Sequence, residues 1–209
     1  MSDEKIKIVI QFPCVGHPLL SQVRWAKAER KYLFDLGRYI WQDLTKRGYE
    51  VKFVSYWFEP EPCDIFMVLR CGGDFHPNRG GYRISYPSRT QVSRLSRIER
   101  IRHYHRKEYN RRLARRLAAA CELRFPHRCL GVGGPINDRF LFGFTISKAK
   151  VKIFFQVGYI TNPRERNWLR LNKKIVALVI GEAIERFLSY TDLSTYEVEE
   201  VEQSEDEQT

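Results

Sequence analysis

The 209-residue sequence predicts a single α/β domain, with a mostly parallel or mixed central sheet and helices on both faces. Two observations support this fold class. Short apolar runs of strand length alternate along the chain with longer segments of helical periodicity. No internal repeat and no linker divides residues 1–190. With 43% hydrophobic residues, a chain of this length can bury a sizeable core.

The first half of the chain contains one amphipathic helix and four apolar runs typical of strands. The helix is predicted over about 22–47, with an apolar face that includes Trp25, Leu36 and Leu44. Gly48 follows at the position where a C-cap glycine is expected. The predicted strands cover residues 5–12, 50–57, 65–69 and 82–86.

The second half combines two helices with a strongly apolar strand. A long, very basic helix is predicted near 91–123, and a final amphipathic helix over about 164–190. Between them lie a possible strand at 139–146 and an apolar run at 151–157. This run leads into a turn marked by Gly158 and then into the capped start of the last helix. Strand-to-loop corners of this kind are where α/β enzymes keep catalytic groups.

Charge is distributed unevenly along the chain. The formal net charge is +11, but residues 191–209 contain eight acidic residues and no Lys or Arg. The preceding body therefore carries +19, eight more than the whole chain. A like-charge segment of this composition is predicted to be an acidic disordered tail. It could fold back onto the basic body, or act simply as a solubilising tail.

The remaining composition gives expectations about compartment. The first residues lack the apolar stretch of a secretory signal, and no run approaches 18 apolar residues, so we expect no membrane span. We therefore expect a cytoplasmic protein, with a virion or phage-associated location as the alternative. The cysteines lack CxxC or zinc-finger spacing, which favours free thiols in a reducing compartment. They are Cys14, Cys63, Cys71, Cys121 and Cys129.

The corner after the apolar run carries a resemblance to a known family. Gln-Val-Gly-Tyr-Ile-Thr-Asn-Pro-Arg-Glu at 156–165 resembles the Glu-x-Gly-Phe-(Ile/Leu)-Ser-Asn-Pro-x-Glu signature of zinc-dependent N-acetylmuramoyl-L-alanine amidases, which cleave bacterial peptidoglycan. The resemblance extends loosely over about 5–188. It implies an amidase-like fold with zinc-exopeptidase-type architecture.

The resemblance also implies positions for a zinc site. His17, after the first strand, corresponds to the first zinc ligand, and Glu29 in the next helix to the second. The third ligand position holds Arg70, whose guanidinium has no lone pair to donate. The position of the catalytic glutamate holds Gln156, and an amide cannot act as a general base near neutral pH. Zinc, if bound at all, is therefore expected to bind weakly.

A rebuilt metal site is the alternative. His76 lies in a Gly- and Pro-containing loop just past Arg70, and could complete a site with His17 and Glu29. Asp74 or Glu165 could then serve as the base. A histidine in such a loop, however, more often has no ligand role.

The long basic helix is the second strong feature. Between residues 88 and 128 there are thirteen Arg or Lys residues and three Glu, with few acids placed to compensate them. Arginine dominates, which favours pairing with phosphate or carboxylate groups. A nucleic acid, a cell-wall polymer or an acidic protein surface would fit this face, although a solvated charged face is the ordinary alternative. The candidate polyanion-binding residues are Arg94, Arg97, Arg106, Arg111, Arg112, Arg115 and Arg116.

Three functional hypotheses follow. The first is a degenerate amidase-like protein that is non-catalytic and reused as a binding or structural module. The second is an active, diverged zinc-dependent amidase that hydrolyses peptidoglycan amide bonds. The third is a nucleic-acid-binding protein in which the fold is incidental.

Overall fold

The computed structural model describes most of the body of the chain. For residues 97–105 it describes only the helical backbone. The described residues are 5–13, 25–55, 61–74, 76, 78–87, 97–133 and 147–193.

Within these residues strands and helices alternate much as the hydrophobic periodicity predicts. The elements are β1 (Lys7–Gln11), α1 (Ala26–Lys46), β2 (Glu50–Val54), β3 (Ile65–Gly72), β4 (Tyr82–Ser85), α2 (Arg97–Glu122), β5 (Cys129–Val132), β6 (Val151–Tyr159), α3 (Pro163–Leu171) and α4 (Lys173–Leu188).

The strands form one mixed sheet of six strands in the order β2-β1-β3-β6-β4-β5. Neighbouring strands are parallel except at the β4–β6 junction, where they are antiparallel. The prediction of an α/β fold around a mixed sheet is therefore confirmed. Because β1, β3 and β6 run in the same direction, their carboxyl ends lie at one edge of the sheet and their amino ends at the other.

Most of the core lies on one face of the sheet. Alternate residues of β3, such as Ile65, Met67 and Leu69, belong there to one cluster with residues of all four described helices. The intervening residues Phe66 and Val68 face a smaller cluster on the other side. The prediction placed helices on both faces, and any helix over this second face would have to come from residues outside the described ranges.

Two local features differ from the sequence prediction. The last helix is divided into α3 and α4 at Asn172, whose backbone N–H and side-chain amide both donate to the carbonyl of Trp168. This local capping interrupts a helix that the apolar periodicity alone predicts as continuous. The short strand β5 was not predicted, and the possible strand at 139–146 lies outside the described residues.

The folded part continues past the predicted domain boundary at residue 190. Leu193 is buried and belongs to the larger core cluster. The rest of the predicted tail lies outside the described residues, where its disorder stays a prediction. Within the described residues, no helix is long and apolar enough to cross a membrane. The described cysteines form no disulfide with one another.

Candidate active-site cleft

The carboxyl ends of β3 and β6 bring two predicted site residues side by side. Arg70 and Gln156 are register partners in the parallel β3–β6 pair. Arg83, on the antiparallel neighbour β4, is the register partner of Gln156 on its other side. Two of the positions that the amidase resemblance singles out therefore lie side by side at one edge of the sheet.

Glu29 reaches this edge from the first turn of α1. Its carboxylate is buried, and Oε1 accepts a hydrogen bond of 2.8 Å from the backbone N–H of Cys71 at the end of β3. The Nε of Arg70 lies 3.9 Å from the same oxygen. That Nε also donates to the carbonyl of Cys71, at 3.0 Å. The helix and the strand are thus joined by a buried ion pair.

The electrostatics of Glu29 are dominated by burial. Desolvation raises the pKa of this carboxyl above its ordinary value, while the charge of Arg70 and the hydrogen bond from Cys71 act in the opposite direction. One helical turn further along, the hydroxyl of Tyr32 is buried without a hydrogen-bond partner. Its pKa is raised as well, first by desolvation and then by the neighbouring Cys71.

Gln156 is half-buried and lies against the backbone of β3. A Cβ atom built on Gly72 would come within 2.6 Å of the Gln156 Nε2 and 3.0 Å of the Tyr159 ring. The absence of a side chain at position 72 therefore allows the amide to pack over this strand end. An amide at this place can orient a group by hydrogen bonding but cannot accept a proton at neutral pH.

The loop after β3 holds its own polar groups together. Asp74 accepts hydrogen bonds from the backbone N–H of His76, at 2.9 Å, and from the Arg79 guanidinium, at 2.8 Å. The bond from His76 contributes most to lowering the pKa of the Asp74 carboxyl, with Arg79 acting in the same sense. The side chain of His76 is exposed. Because His17 lies outside the described residues, its proposed association with Glu29 and His76 stays a prediction.

Glu165 has a structural position that the sequence analysis did not predict. Its two oxygens accept hydrogen bonds from the backbone N–H of Gly81, at 2.6 Å, and of Tyr159, at 2.7 Å. The carboxylate is buried and joins β6 to the residues before β4. Asn162 caps α3, so Glu165 occupies the N3 position of a capping sequence. The spacing from Asn162 to Glu165 matches a capping sequence, so the sequence alone could have indicated a structural role for Glu165.

His127 is a second residue that the sequence analysis missed. Its Nδ1 lies 3.7 Å from Glu165 Oε1, and its ring packs edge-on against Trp168. Its Nε2 is buried without a hydrogen-bond partner. Desolvation lowers the pKa of this histidine, although Glu165 opposes the shift. Nothing in the spacing of the sequence indicates this contact, because β5 and α3 are distant along the chain.

The fold can be compared with solved structures. The N-acetylmuramoyl-L-alanine amidase from Clostridium difficile 630 has a TM-score of 0.61 at 12% identity, over 90% of this chain and 99% of its own. The CwlD amidase from Clostridioides difficile, in complex with the GerS lipoprotein, has a TM-score of 0.58 at 12% identity, over 90% and 100%. AmiC2 of Nostoc punctiforme has a TM-score of 0.55 at 16% identity, over 89% and 98%.

This chain has the fold of the N-acetylmuramoyl-L-alanine amidases. The resemblance inferred from residues 156–165 is therefore confirmed for the fold. No protein-family model matches the sequence, and no curated protein is significantly similar to it in sequence. At this level of identity the comparison concerns architecture alone, so the chemistry of the cleft has to be argued from its own residues.

Within the amidase fold, the described residues contain no group of three His, Cys, Asp or Glu side chains placed to hold a metal ion. His17 lies outside those residues. Glu29, Arg70 and Gln156 are brought together, whereas Asp74 and Glu165 are engaged by backbone N–H groups in separate places.

The basic helix α2 lies beside this architecture with one face in the core. Leu113, Leu117 and Cys121 are buried in the larger cluster, while Arg112 and Arg115 are exposed. The expectation of few compensating acids needs correction at one point: Glu108 pairs with both Arg111 and Arg112. Exposed arginines therefore remain on this face, but two of them share one carboxylate.

The other candidate residues of α2 have different surroundings. Arg106, within the helix, is exposed. Burial lowers the pKa of Lys152 to about 8, and the charge of Arg106 acts in the same direction. The guanidinium of Arg116 lies 5.3 Å from the ring centre of Tyr190. Arg97 belongs to the helix, without a described side chain, and Arg94 lies outside the described residues.

Proposed function

We propose that this protein is an amidase-fold protein that does not hydrolyse amide bonds and serves as a binding or structural module. The proposal rests on one observation, the buried contact between Arg70 and Glu29. A guanidinium lies beside the carboxylate that the family resemblance identifies as the second zinc ligand. A charged side chain has therefore become the neighbour of a carboxylate that would otherwise face a metal.

The described side chains offer a zinc ion a poor site. Arg70 brings a positive charge and no lone pair to the position of the third ligand. Its charge would oppose a dication a few ångströms away. Glu29 already uses Oε1 to accept the Cys71 N–H. In this proposal the guanidinium replaces the metal as the cation that compensates Glu29.

The proton-transfer function is missing from the same place. Hydrolysis at a catalytic zinc needs a group that removes a proton from the attacking water. Gln156 cannot do so, and the carboxylates of Asp74 and Glu165 are engaged by hydrogen bonds with backbone N–H groups. The loss of a ligand and the loss of a base at neighbouring register positions support a non-catalytic protein.

The proposal is tested by measuring metal content and activity in the full-length chain. After incubation with zinc and removal of unbound metal, elemental analysis is expected to give well below one zinc per chain. Incubation with labelled peptidoglycan is expected to release no fragments. One tightly bound zinc per chain together with hydrolysis would establish the second hypothesis, the diverged amidase, and overturn the proposal.

His76 provides the specific test of a rebuilt site. If it serves as a replacement ligand, His76→Ala should reduce zinc content and activity together. The matched control is Asn78→Ala, another exposed position in the same loop. Under the proposal neither substitution alters metal content, because the described hydrogen bonds of His76 are made by its backbone, which donates to Asp74 and accepts from Arg79.

The partner that best fits this module is a polyanion that contacts the exposed arginines of α2. Support comes from the exposed positions of Arg106, Arg112, Arg115 and Arg116, since guanidinium groups pair readily with phosphate and carboxylate. Protein binding by an amidase fold has a precedent in CwlD, which is solved with the GerS lipoprotein. The proposed compartment remains the cytoplasm.

Matched charge removal tests this partner. In one variant Arg112, Arg115 and Arg116 become Gln, and in the control Lys27, Lys31 and Lys46 on α1 become Gln. Both sets are exposed and both remove three charges. Binding of a labelled DNA duplex and of poly(glycerol phosphate) is measured as salt rises. We expect weaker binding and a smaller salt dependence only in the α2 variant. Equal loss in both variants would contradict a dedicated α2 face.

A further inference from the structure

We propose that a groove at the amino-terminal edge of the sheet binds the chain's own acidic segment, residues 194–209. This lysine groove lies beneath the amino ends of β1, β3 and β6, at the opposite edge from the amidase cleft. It has a volume of about 690 Å³. Its basic lining residues are Lys5, Lys7, Lys148 and Lys150.

The charge of the lysine groove is only partly compensated by its own walls. Asp64 lies 3.1 Å from the Lys150 ammonium and also accepts the backbone N–H of Lys7. The exposed side chains of Lys5, Lys7 and Lys148 form no ion pair with another described residue. The described lining contains four lysines and two acidic residues, Asp64 and Asp192, so the groove keeps a positive charge that favours an anionic occupant.

The floor of the lysine groove is apolar. Ile6, Tyr49 and Leu188 line it below the ammonium groups. An occupant that only carries charge would leave this surface in contact with water. The best match is a segment that combines carboxylates with apolar side chains, because it can pair with the lysines and cover the floor together.

Residues 194–209 have this composition. They contain seven acidic residues and no Lys or Arg. Tyr196, Val198 and Val201 are interspersed among the first of these acids. Charge and apolar character therefore complement the groove in one continuous stretch.

The last described residues before this segment lie at the groove. Thr191, Asp192 and Leu193 are themselves part of the lining, and Leu193 is anchored in the core. An extended residue spans at most about 3.6 Å, so Glu197 must lie within about 14 Å of Leu193. A tethered segment of this kind has an effective concentration on the order of millimolar, which lets weak contacts be occupied. An acidic segment elsewhere in solution lacks this advantage.

Zero-length crosslinking of the full-length chain tests the proposal. A carbodiimide activates a carboxylate, and attack by a lysine Nζ forms an amide while the activating agent leaves as its urea. The crosslinked monomer is separated, digested and mapped by mass spectrometry. We expect amides from Lys5, Lys7 and Lys148 to the tail acids Glu197, Glu199 and Glu200. Control lysines, exposed elsewhere on the fold, are Lys27, Lys31 and Lys174.

Two further measurements test the same proposal: crosslinking at high salt, and the acetylation rate of the groove lysines in a tail variant. Crosslinking at the groove should fall in 1 M salt, where the Debye length is about 3 Å. In a variant with Glu197, Glu199 and Glu200 changed to Gln, acetylation of the groove lysines should become several-fold faster, while the control lysines keep their rates. Equal crosslinking to groove and control lysines would overturn the proposal. So would crosslinks found only in dimers, since the occupant would then be another copy's tail.

This inference is independent of the proposed function. A chain that binds zinc and hydrolyses peptidoglycan can still carry its tail in the lysine groove. Conversely, an inactive chain can leave the groove open. The crosslinking pattern therefore tests the position of the tail, and the metal content tests the proposed function. Either proposal can be contradicted without the other.

Discussion

The two edges of the central sheet differ in where their charged side chains lie: they are buried at one edge and exposed at the other. At the carboxyl-terminal edge, Glu29 and Arg70 are buried and lie against each other, and Glu165 is held by two backbone N–H groups. At the amino-terminal edge, the lysine groove exposes ammonium groups around an open hollow. In this amidase fold the buried carboxylates at the first edge have partners within the protein, whereas Lys5, Lys7 and Lys148 at the second edge are exposed.

The burial of Glu29 explains why the first of these edges needs a compensating charge. A buried carboxylate needs a compensating cation, whether it is a metal or a side chain. If the guanidinium supplies that charge in place of a metal, as proposed, the same carboxylate ties α1 to the end of β3. Exposed lysines do not need a compensating partner, because water solvates their ammonium groups.

The largest effect is expected from removing the guanidinium at the cleft. Arg70→Met should lower the free energy of unfolding by about 3–5 kcal/mol, because Glu29 is left buried without its cation. Denaturant titration measures this change. The double variant Arg70→Met/Glu29→Gln should recover much of the loss, since an amide costs less to bury than a charge. A single variant as stable as the native chain would mean that the two side chains do not depend on each other.

The next effect concerns the carboxylate that joins β6 to the residues before β4. Glu165→Gln should lower the free energy of unfolding by about 1–3 kcal/mol, because an amide offers one oxygen to two buried N–H donors. The control is Glu185→Gln, at a more exposed ion pair with Arg47, where we expect less than about 1 kcal/mol. Equal losses of unfolding free energy at the two positions would show that the buried hydrogen bonds of Glu165 stabilise the fold no more than an exposed ion pair does.

A smaller effect is expected where Gln156 crosses the end of β3. Gly72→Ala should cost about 1 kcal/mol, since the new methyl group meets the Gln156 amide and forces it to move. Adding Gln156→Ala should relieve that strain, so the double variant should be more stable than the sum of the two single changes predicts. Additive losses would mean that the amide does not pack over Gly72.

The smallest effect is a dependence of stability on pH. The pKa of His127 is lowered in the folded state from 6.5, so the unfolded chain binds the proton more readily. The contribution of this residue is constant above about pH 6.5 and is lost as pH falls from there towards the lower folded pKa. Denaturation at pH 7.5 and pH 5.5 should differ more in the native chain than in His127→Gln. The same difference in both would contradict a buried neutral histidine.

The sequence predicted the framework of the fold more completely than its polar contacts. Apolar periodicity locates β1, β3 and β6 because a buried strand must present apolar residues at regular intervals. The pairing of Arg70 with Gln156 across β3 and β6 was not part of that prediction, because periodicity does not indicate which strands are neighbours. The break at Asn172 depends on two hydrogen bonds to one carbonyl, which hydrophobic periodicity does not encode.

The polar contacts of the cleft depend on tertiary geometry. Arg70 was predicted to oppose a metal, but its approach to Glu29 requires the packing of α1 against β3. Glu165 was considered as a base, whereas its contacts with Gly81 and Tyr159 join residues far apart in the chain. Residue types therefore indicated which side chains occupy the positions of the amidase signature, and the fold showed the contacts that they make.

The most direct test of the central claim is restoration of the metal site. Zinc stoichiometry is measured by elemental analysis for the native chain, Gln156→Glu, Arg70→His and the double variant. If the guanidinium replaces the metal, zinc binding should appear only in the two variants that contain Arg70→His. Tight binding of one zinc by the native chain, or exclusion of zinc by both Arg70→His variants, would contradict this account of the cleft.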